Sequence, residues 1–185
     1  MKLYFHVDRA LVRKPGEVIE KEKYKGESLL IPLLSYGDQN FLYHLDKLCR
    51  YGISLHGAHY LIQSINNNVS FRDSLLELHF EYIRHIYYKN TLSRFQCLFA
   101  YEDINKAREF KRANKNMGMI YEVEPSGLIF RSDMNWLKFD FTPETQKHYA
   151  MSYWTGKPFS TEKHYEPQWE CLIDLPVIIK QEINE

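Results

Sequence analysis

The sequence predicts a single α+β domain, and three observations lead to this fold class. A chain of 185 residues is long enough for one well-packed domain and short for two, so residues 1–185 are read as one unit. Hydrophobic residues make up 44% and charged residues 26%, which is typical of a globular protein. Hydrophobic periodicity predicts a strand, then helices, a strand, a helix and final strands, an order that favours α+β over an alternating parallel sheet.

The first third of the chain opens with a strand and continues through a long connection. Residues 2–8 are aromatic and β-branched, which predicts a strand. Residues 9–37 are interrupted by proline and glycine and predict a connection with a short extended piece near its middle. A helix is predicted over 38–50, where Leu45 and Leu48 share one face, and a second over 53–64, followed by an asparagine turn at 66–68.

Residues 71–88 carry the clearest helical pattern. The apolar stripe consists of Leu76, Phe80, Ile83 and Tyr87, at spacings of three and four residues. Ser70 and Asp73 resemble a capping box at its start. The charged positions are Glu77, Glu81, Arg84 and His85, which we expect to project away from the apolar stripe.

The second half of the chain predicts the remaining strands and helices. Strands are predicted over 95–101, 118–124 and 127–131, with one or two closing strands over 169–180 that bend at Pro176. Helices are predicted over 102–113 and 143–152.

Composition excludes several classes of function. The formal net charge is zero, which argues against sequence-independent binding to long nucleic acid. The three cysteines form no CxxC pair, which argues against a disulfide framework and a zinc site, and the histidines show no metal-ligand spacing, so we expect no metal. Neither a signal peptide nor a membrane span is predicted, so we expect a cytoplasmic protein without a membrane partner. Rossmann and Walker phosphate loops are absent as well.

The opening strand supplies the first candidate residues. Alternation places Tyr4, His6 and Asp8 on one face of YFHVDR, and a polar stripe on an opening strand suits the wall of a cleft. Arg9 follows directly. The alternative is an ordinary strand with a polar, solvent-exposed face.

Two later segments supply the other candidates. Ser93 and Arg94 precede a buried strand, where arginine can bind phosphate through paired hydrogen bonds. Glu170 lies between Trp169 and Cys171 at the start of an apolar strand, so it can face outward while its neighbours pack. The alternatives are a turn serine with a surface arginine, and a solvated glutamate on an edge strand.

The combination of these segments is more specific than any one of them. YFHVDR opens the chain, FEYIRHIYYKNTLSRFQCLFAYEDINKAREF follows, and SDMNWL, YWTG and PQWECLI come later. This arrangement resembles the bacterial DUF2441 family over nearly the whole chain. In outline it also resembles the ADP-ribosyltransferase superfamily, including its DarT-like branch, through the order of its elements and a few residues.

The superfamily resemblance implies a fold, a substrate and residue roles. The implied fold is a split, highly curved β core with helices packed on it and NAD bound in its cleft as substrate. His6 would bind a ribose of NAD and Glu170 would be the catalytic residue. Arg9 and Arg94 would contact the pyrophosphate, with Ser93 beside them. The implied stacking rings are Tyr101 and Trp154.

The implied activity is transfer of ADP-ribose to a macromolecular acceptor with release of nicotinamide, as in a toxin, an effector or a phage-related modifier. The acceptor is a protein or a single-stranded nucleic acid. Gln168-Trp169-Glu170 matches the QxE motif of the arginine–serine–glutamate branch, but a preceding STS strand is missing. Tyrosines do not match the histidine–tyrosine–glutamate branch, so the branch stays open. The alternatives are a noncatalytic nucleotide-binding or protein-interaction module on the same scaffold, and a structural protein in which His6 and Glu170 never meet.

Overall fold

The computed structural model describes residues 2–22, 47–61, 70–139 and 142–184. Its strands are β1 (Tyr4–Asp8), β2 (Val18–Ile19), β3 (Cys97–Ala100), β4 (Met119–Pro125), β5 (Ile129–Asp133), β6 (Trp169–Asp174) and β7 (Val177–Ile183). Its helices are α1 (Leu55–Leu61), α2 (Phe71–Tyr87), α3 (Ile104–Ala113) and α4 (Pro143–Trp154), with a 3₁₀ turn at Met134–Trp136. The predicted α+β class is confirmed.

The strands form two antiparallel sheets that meet at one bridge. The four-stranded sheet has the order β1-β4-β7-β2 and the three-stranded sheet the order β3-β6-β5. Phe5 of β1 and Tyr101, just after β3, exchange backbone hydrogen bonds of 2.9 Å, which join the two sheets at their edges. The β core is therefore curled and split, with β1 and β3 at the junction.

The two sheets share one apolar core. It combines Tyr121, Val123 and Ile179 of the first sheet with Leu98 and Ile173 of the second. Because side chains alternate along a strand, Leu172 of β6 points to the opposite side, where it packs with residues of α2 and α4. The three-stranded sheet is thus covered by the other sheet on one side and by helices on the other.

Most of the predicted elements are confirmed, with ends that shift by a few residues. The closing segment divides into β6 and β7 around Leu175 and Pro176. The helix predicted over 38–50 falls largely outside the described residues, and the turn at 66–68 wholly so. Cys49, Cys97 and Cys171 are buried and form no disulfide.

One local prediction, the capping box of α2, is wrong. Ser70 is the N-cap residue of α2, but its side chain makes no capping hydrogen bond. The side chains of Glu77, Glu81 and Arg84 lie off the apolar stripe but are buried, because α2 packs against the rest of the protein on more than that stripe. His85 is exposed as expected.

The structure excludes the alternative in which β1 presents a polar face to solvent. Tyr4 is 5% exposed and Asp8 is 2% exposed, while His6 is half-buried. Asp8 accepts hydrogen bonds from the backbone N–H groups of Ala10, Val12 and Arg13, so it organises the turn after β1. This face of β1 therefore belongs to the interior. Of the helices in the described part of the chain, none has the length and apolar character needed to span a membrane.

Candidate active site

A buried guanidinium lies at the centre of the candidate site. Arg94 is 3% exposed and lies just before β3. Its Nε and Nη2 groups donate to the two carboxylate oxygens of Glu77 at 2.7 and 2.8 Å, and its Nη1 group donates to Glu170 Oε1 at 2.5 Å. Paired arginine–carboxylate bonds define geometry as well as contribute energy. Arg94 therefore fixes a carboxylate on α2 relative to a carboxylate on β6.

Glu170 lies on the central strand of the three-stranded sheet and is 4% exposed. The expectation that it faces outward is wrong, because α2 and α4 cover this side of the sheet. Tyr153 of α4 donates its hydroxyl to Glu170 Oε1 at 2.7 Å. Burial raises the pKa of Tyr153 well above its ordinary value, so this hydroxyl keeps its proton and remains a donor.

Glu170 and Glu77 together balance the charge of Arg94. Burial by itself would raise the pKa of Glu77, but the adjacent Arg94 guanidinium outweighs it and holds that pKa well below its usual range. Arg94 carries one formal positive charge, and Glu77 and Glu170 carry one formal negative charge each. These three side chains, the Arg94 network, therefore retain a net negative charge in a buried position, where charges interact strongly.

Aromatic and imidazole rings form a half-buried wall beside Glu77. His56 Nε2 lies 3.4 Å from Glu77 Oε2, and the His56 ring centroid lies 4.4 Å from that of Phe99 and 4.6 Å from that of Tyr60. His59 meets Tyr60 edge to face at 5.0 Å. These rings are partly exposed, so they reach from the Arg94 network to the surface. A wall of this kind suits contact with a flat ligand.

His6 lies where the two sheets diverge. Its Nδ1 atom is 2.8 Å from the carbonyl oxygen of Phe99, close to the bridge between Phe5 and Tyr101. Because a carbonyl can only accept, the proton of a neutral ring belongs on Nδ1, which leaves Nε2 as an acceptor. Burial lowers the pKa of His6, which favours that neutral form.

Arg9 and Tyr101 lie near His6. Arg9 is exposed, donates to Asn114 Oδ1 at 3.1 Å, and has its guanidinium 5.7 Å from the Phe110 ring. Tyr101 is 7% exposed and follows the strand that pairs with β6. Burial, and after it the charge of Glu170, raises the pKa of Tyr101. Tyr101 is therefore paired with β1, the strand that carries His6, and lies close enough to Glu170 to be affected by its charge.

Two of the predicted residues are directed elsewhere. Trp154 is 2% exposed, its Nε1 group donates to Phe80 O at 2.8 Å, and its ring packs 5.6 Å from that of Phe130, so its observed role is core packing. Ser93 Oγ accepts from the backbone N–H of Phe95 at 3.2 Å and lines a cavity that neither His6 nor Glu170 borders. The side chains of Ser93 and Arg94 therefore lie at different sites, although the two residues are adjacent in sequence.

Sequence reasoning missed Glu77, His56 and Tyr153. Glu77 directly follows Leu76 of the apolar stripe, and a carboxylate at the edge of a buried helix face is a signal for a partner cation. Tyr153 carried no such signal, because a tyrosine on an amphipathic helix is usually a packing residue. Within the described ranges, no group of three or more histidine, cysteine or acidic side chains is arranged to hold a metal.

Comparison with protein families identifies the chain at family level. Residues 4–185 match the family described as protein of unknown function (DUF2441). The match spans nearly the whole chain, so the protein belongs to this family, and the resemblance to it is confirmed. A search of curated proteins finds no match.

Proposed function

For this member of the DUF2441 family, we propose the activity of an ADP-ribosyltransferase that uses NAD and releases nicotinamide. The observation that carries the proposal is a carboxylate, Glu170, fixed by Arg94 and Tyr153 on a central strand, two strands away from His6. The curled, split β core supports the same proposal, since the superfamily resemblance implies such a core. The order of the candidate residues along the chain agrees with it as well.

The reaction breaks the bond between C1′ of the ribose and the nicotinamide nitrogen, and nicotinamide leaves with the bonding electrons. Positive charge develops on the ribose, as it does in glycoside hydrolysis. The acceptor then forms a bond to C1′ and loses its proton. Stabilisation of this charge by a fixed negative group is the main contribution that the protein has to supply.

Glu170 supplies that group in the proposal. Arg94 and Tyr153 both bind Oε1, so we assign Oε2 to the ribose and its 2′-hydroxyl. Because the single positive charge of Arg94 is bound to two carboxylates, the Arg94 network keeps the net negative charge that attracts a ribosyl cation. A carboxylate held in this way needs little rearrangement during the reaction, which is the requirement for electrostatic catalysis.

His6 positions the substrate in the proposal. Its Nδ1–H is bound to Phe99 O, so Nε2 is directed to accept a hydrogen bond from a ribose hydroxyl. Arg9 is exposed at the end of the same strand and is assigned to the pyrophosphate. The rings of His56 and Tyr60 are assigned to the wall of the nicotinamide or adenine pocket.

A noncatalytic module is the second candidate, and the burial of Glu170 favours it. A side chain that is 4% exposed and bound to a cation has an adequate structural role without any substrate. In that case the same cleft binds a nucleotide or a protein segment without turnover.

The test measures nicotinamide release from NAD labelled in the nicotinamide ring, with and without a cell lysate as source of acceptor. The variants are Glu170→Gln, which keeps the shape of the side chain, and Glu109→Gln, an exposed control on α3. We expect release by the wild type and the control, and a loss of at least about 100-fold in Glu170→Gln, the scale of removing a transition-state electrostatic contact. Thermal unfolding establishes that each variant is folded.

Equal release by the wild type and Glu170→Gln, or no release in any condition, contradicts the proposal. Calorimetry with NAD and ADP-ribose then separates the two candidates. Binding of either ligand without turnover selects the noncatalytic module.

A further inference from the structure

A second set of charged side chains surrounds a cavity of about 290 Å³ that is separate from Glu170 and His6. The basic residues that line it are Lys21, Lys47, Arg50, Arg84, His85 and Lys89. Asp174 is the one acidic residue among the described residues of this lining, and Tyr51 provides an aromatic ring at its edge. The cavity is therefore cationic although the whole chain is neutral.

Backbone contacts between distant segments build the cavity. Glu22 and Ile53 exchange N–H to carbonyl hydrogen bonds of 2.8 Å, which bring the segment after β2 against the loop before α1. Gln96 donates to the carbonyl of Gly52 at 2.7 Å and attaches this loop to the start of β3. Gly52 has φ +101° and a Cβ there would lie 2.5 Å from Glu22 O, so the close approach requires glycine. The walls are thus defined by the fold.

Arg84 is the fixed cation of the cavity. Its Nε and Nη2 groups donate to Glu81 Oε1 at 3.0 and 2.7 Å, and its Nη1 group donates to the carbonyl of Thr91 at 3.1 Å. Arg84 is 7% exposed, so its guanidinium has a defined position in the cavity wall. An arginine held in this way recognises an anion at low entropic cost.

The remaining charges leave the cavity positive. Lys21 pairs with Asp174 at 2.7 Å, while Arg50 lies 6.0 Å from the ring of Tyr51. Among the described residues, and with Lys47 left out of the count, Lys21, Arg50, Arg84 and Lys89 against Asp174 and Glu81 leave a formal charge of +2. Excess positive charge in a concave site attracts anions.

We propose that this cavity binds a nucleoside phosphate, with the phosphate against Arg84, Arg50 and Lys89 and the base against Tyr51. Tyr51 is 70% exposed beside the cavity, and an exposed ring next to cations is suited to a ligand that combines a phosphate with a flat ring. The volume lies at the lower end of small-ligand pockets, which matches a mononucleotide better than a polymer. The site does not depend on the activity proposed for Glu170.

Calorimetry on the full chain in phosphate-free, low-salt buffer tests the proposal with inorganic phosphate, AMP and a single-stranded thymidine oligonucleotide. Arg50→Glu and Lys89→Glu each reverse a charge of the lining, and Lys163→Glu is a matched control at an exposed lysine outside it. We expect AMP to bind more tightly than inorganic phosphate. Each reversal in the lining weakens AMP binding by about tenfold or more, the scale of a charge-assisted hydrogen bond, while the control changes it less than about twofold.

Two further variants identify the ligand and the site. Tyr51→Ala reduces AMP affinity to that of inorganic phosphate if the base stacks on this ring. Glu109→Gln, at an exposed carboxylate outside the lining, leaves AMP binding unchanged, so a loss in the other variants is assigned to this cavity. The proposal is overturned by absence of binding, by indifference to both charge reversals, or by an oligonucleotide that binds far more tightly than AMP, since this last result indicates a groove for a strand.

Discussion

Replacement of Arg94 by methionine is the most direct perturbation of the candidate site. Methionine has a similar length but no donor, so Glu77 and Glu170 lose the N–H groups that bind them at 2.5 to 2.8 Å. Both carboxylates stay in place at less than a tenth exposure. Removing one partner of a buried ion pair leaves the other charge uncompensated and costs about 3–5 kcal/mol of stability.

We expect Arg94→Met to lower the free energy of unfolding by about 3–5 kcal/mol. The two carboxylates belong to one network, so their separate costs do not add. Domains of ordinary stability have about 5–15 kcal/mol in total, so the variant is strongly destabilised. Urea unfolding followed by far-ultraviolet circular dichroism at pH 7 measures the loss. Arg112→Met, at an exposed position near the end of α3, is the control and changes stability by less than about 0.5 kcal/mol.

A double-mutant cycle separates charge from packing. If the loss reflects an uncompensated charge, Arg94→Met combined with Glu77→Met is less destabilised than the sum of the single variants, because similar apolar side chains replace the pair. We expect a coupling energy of at least about 2 kcal/mol. A loss below about 1 kcal/mol in Arg94→Met, or a coupling energy within about 0.5 kcal/mol of zero, refutes the view that Arg94 holds the site together.

Four further predictions concern two acid titrations, one packing contact and one loop anchor. The pKa of Glu77 is lowered in the folded state. The stability that its carboxylate contributes is therefore fully present above the ordinary pKa of 4.5 and is lost as the pH falls through the folded pKa. Glu77→Gln thus costs less stability at pH 3 than at pH 6. Burial raises the pKa of Glu81, so wild-type stability relative to Glu81→Gln falls as the pH rises above 4.5. Urea unfolding at pH 3 and pH 6 measures the Glu77 effect, and unfolding at pH 4 and pH 7.5 measures the Glu81 effect, with Glu109→Gln as the exposed control. Gly57→Ala places a methyl group 2.3 Å from Phe95 O and lowers the melting temperature, with a cost of about 1–3 kcal/mol; an unchanged melting temperature contradicts the close packing of α1. The Asp133 carboxylate accepts hydrogen bonds from the Tyr165 hydroxyl and from several backbone N–H groups. Asp133→Asn replaces one of its oxygens by a donor, so we expect a loss of about 2–4 kcal/mol in the free energy of unfolding. No change in the same unfolding assay shows that the loop before β6 is held by other contacts.

The elements of the fold were accessible from sequence because each has a local signal. The stripe of α2 and the alternation of β6 depend on residues that are near one another in the chain, and their predicted ranges agree with the structure within a few residues. Strand pairing has no such signal. The bridge between Phe5 and Tyr101 joins residues far apart in sequence, so the junction of the two sheets emerged only from the structure.

The site was only partly predictable for the same reason. Glu170 and Arg94 were identified singly, but their direct contact depends on α2 and α4 packing over the three-stranded sheet. Glu77 and Glu81 were predicted only to project away from the apolar stripe of α2, and nothing in the sequence indicated their burial, because charged residues on a helix are usually exposed. Their burial depends on Arg94 and Arg84, which lie elsewhere on the sequence or the helix and compensate the charge.

The position of α2 connects the two sites that the structure describes. Glu77 binds Arg94 on the side of Glu170, while Glu81, one turn further along the helix, binds Arg84 on the side of the cationic cavity. Apolar residues pack a helix against a sheet equally well and avoid the cost of desolvating charges. The acid of each pair lies on α2, while Arg84 lies on the same helix and Arg94 lies just before β3. In both pairs the acid orients a guanidinium: that of Arg94 also binds Glu170, and that of Arg84 lines the cationic cavity.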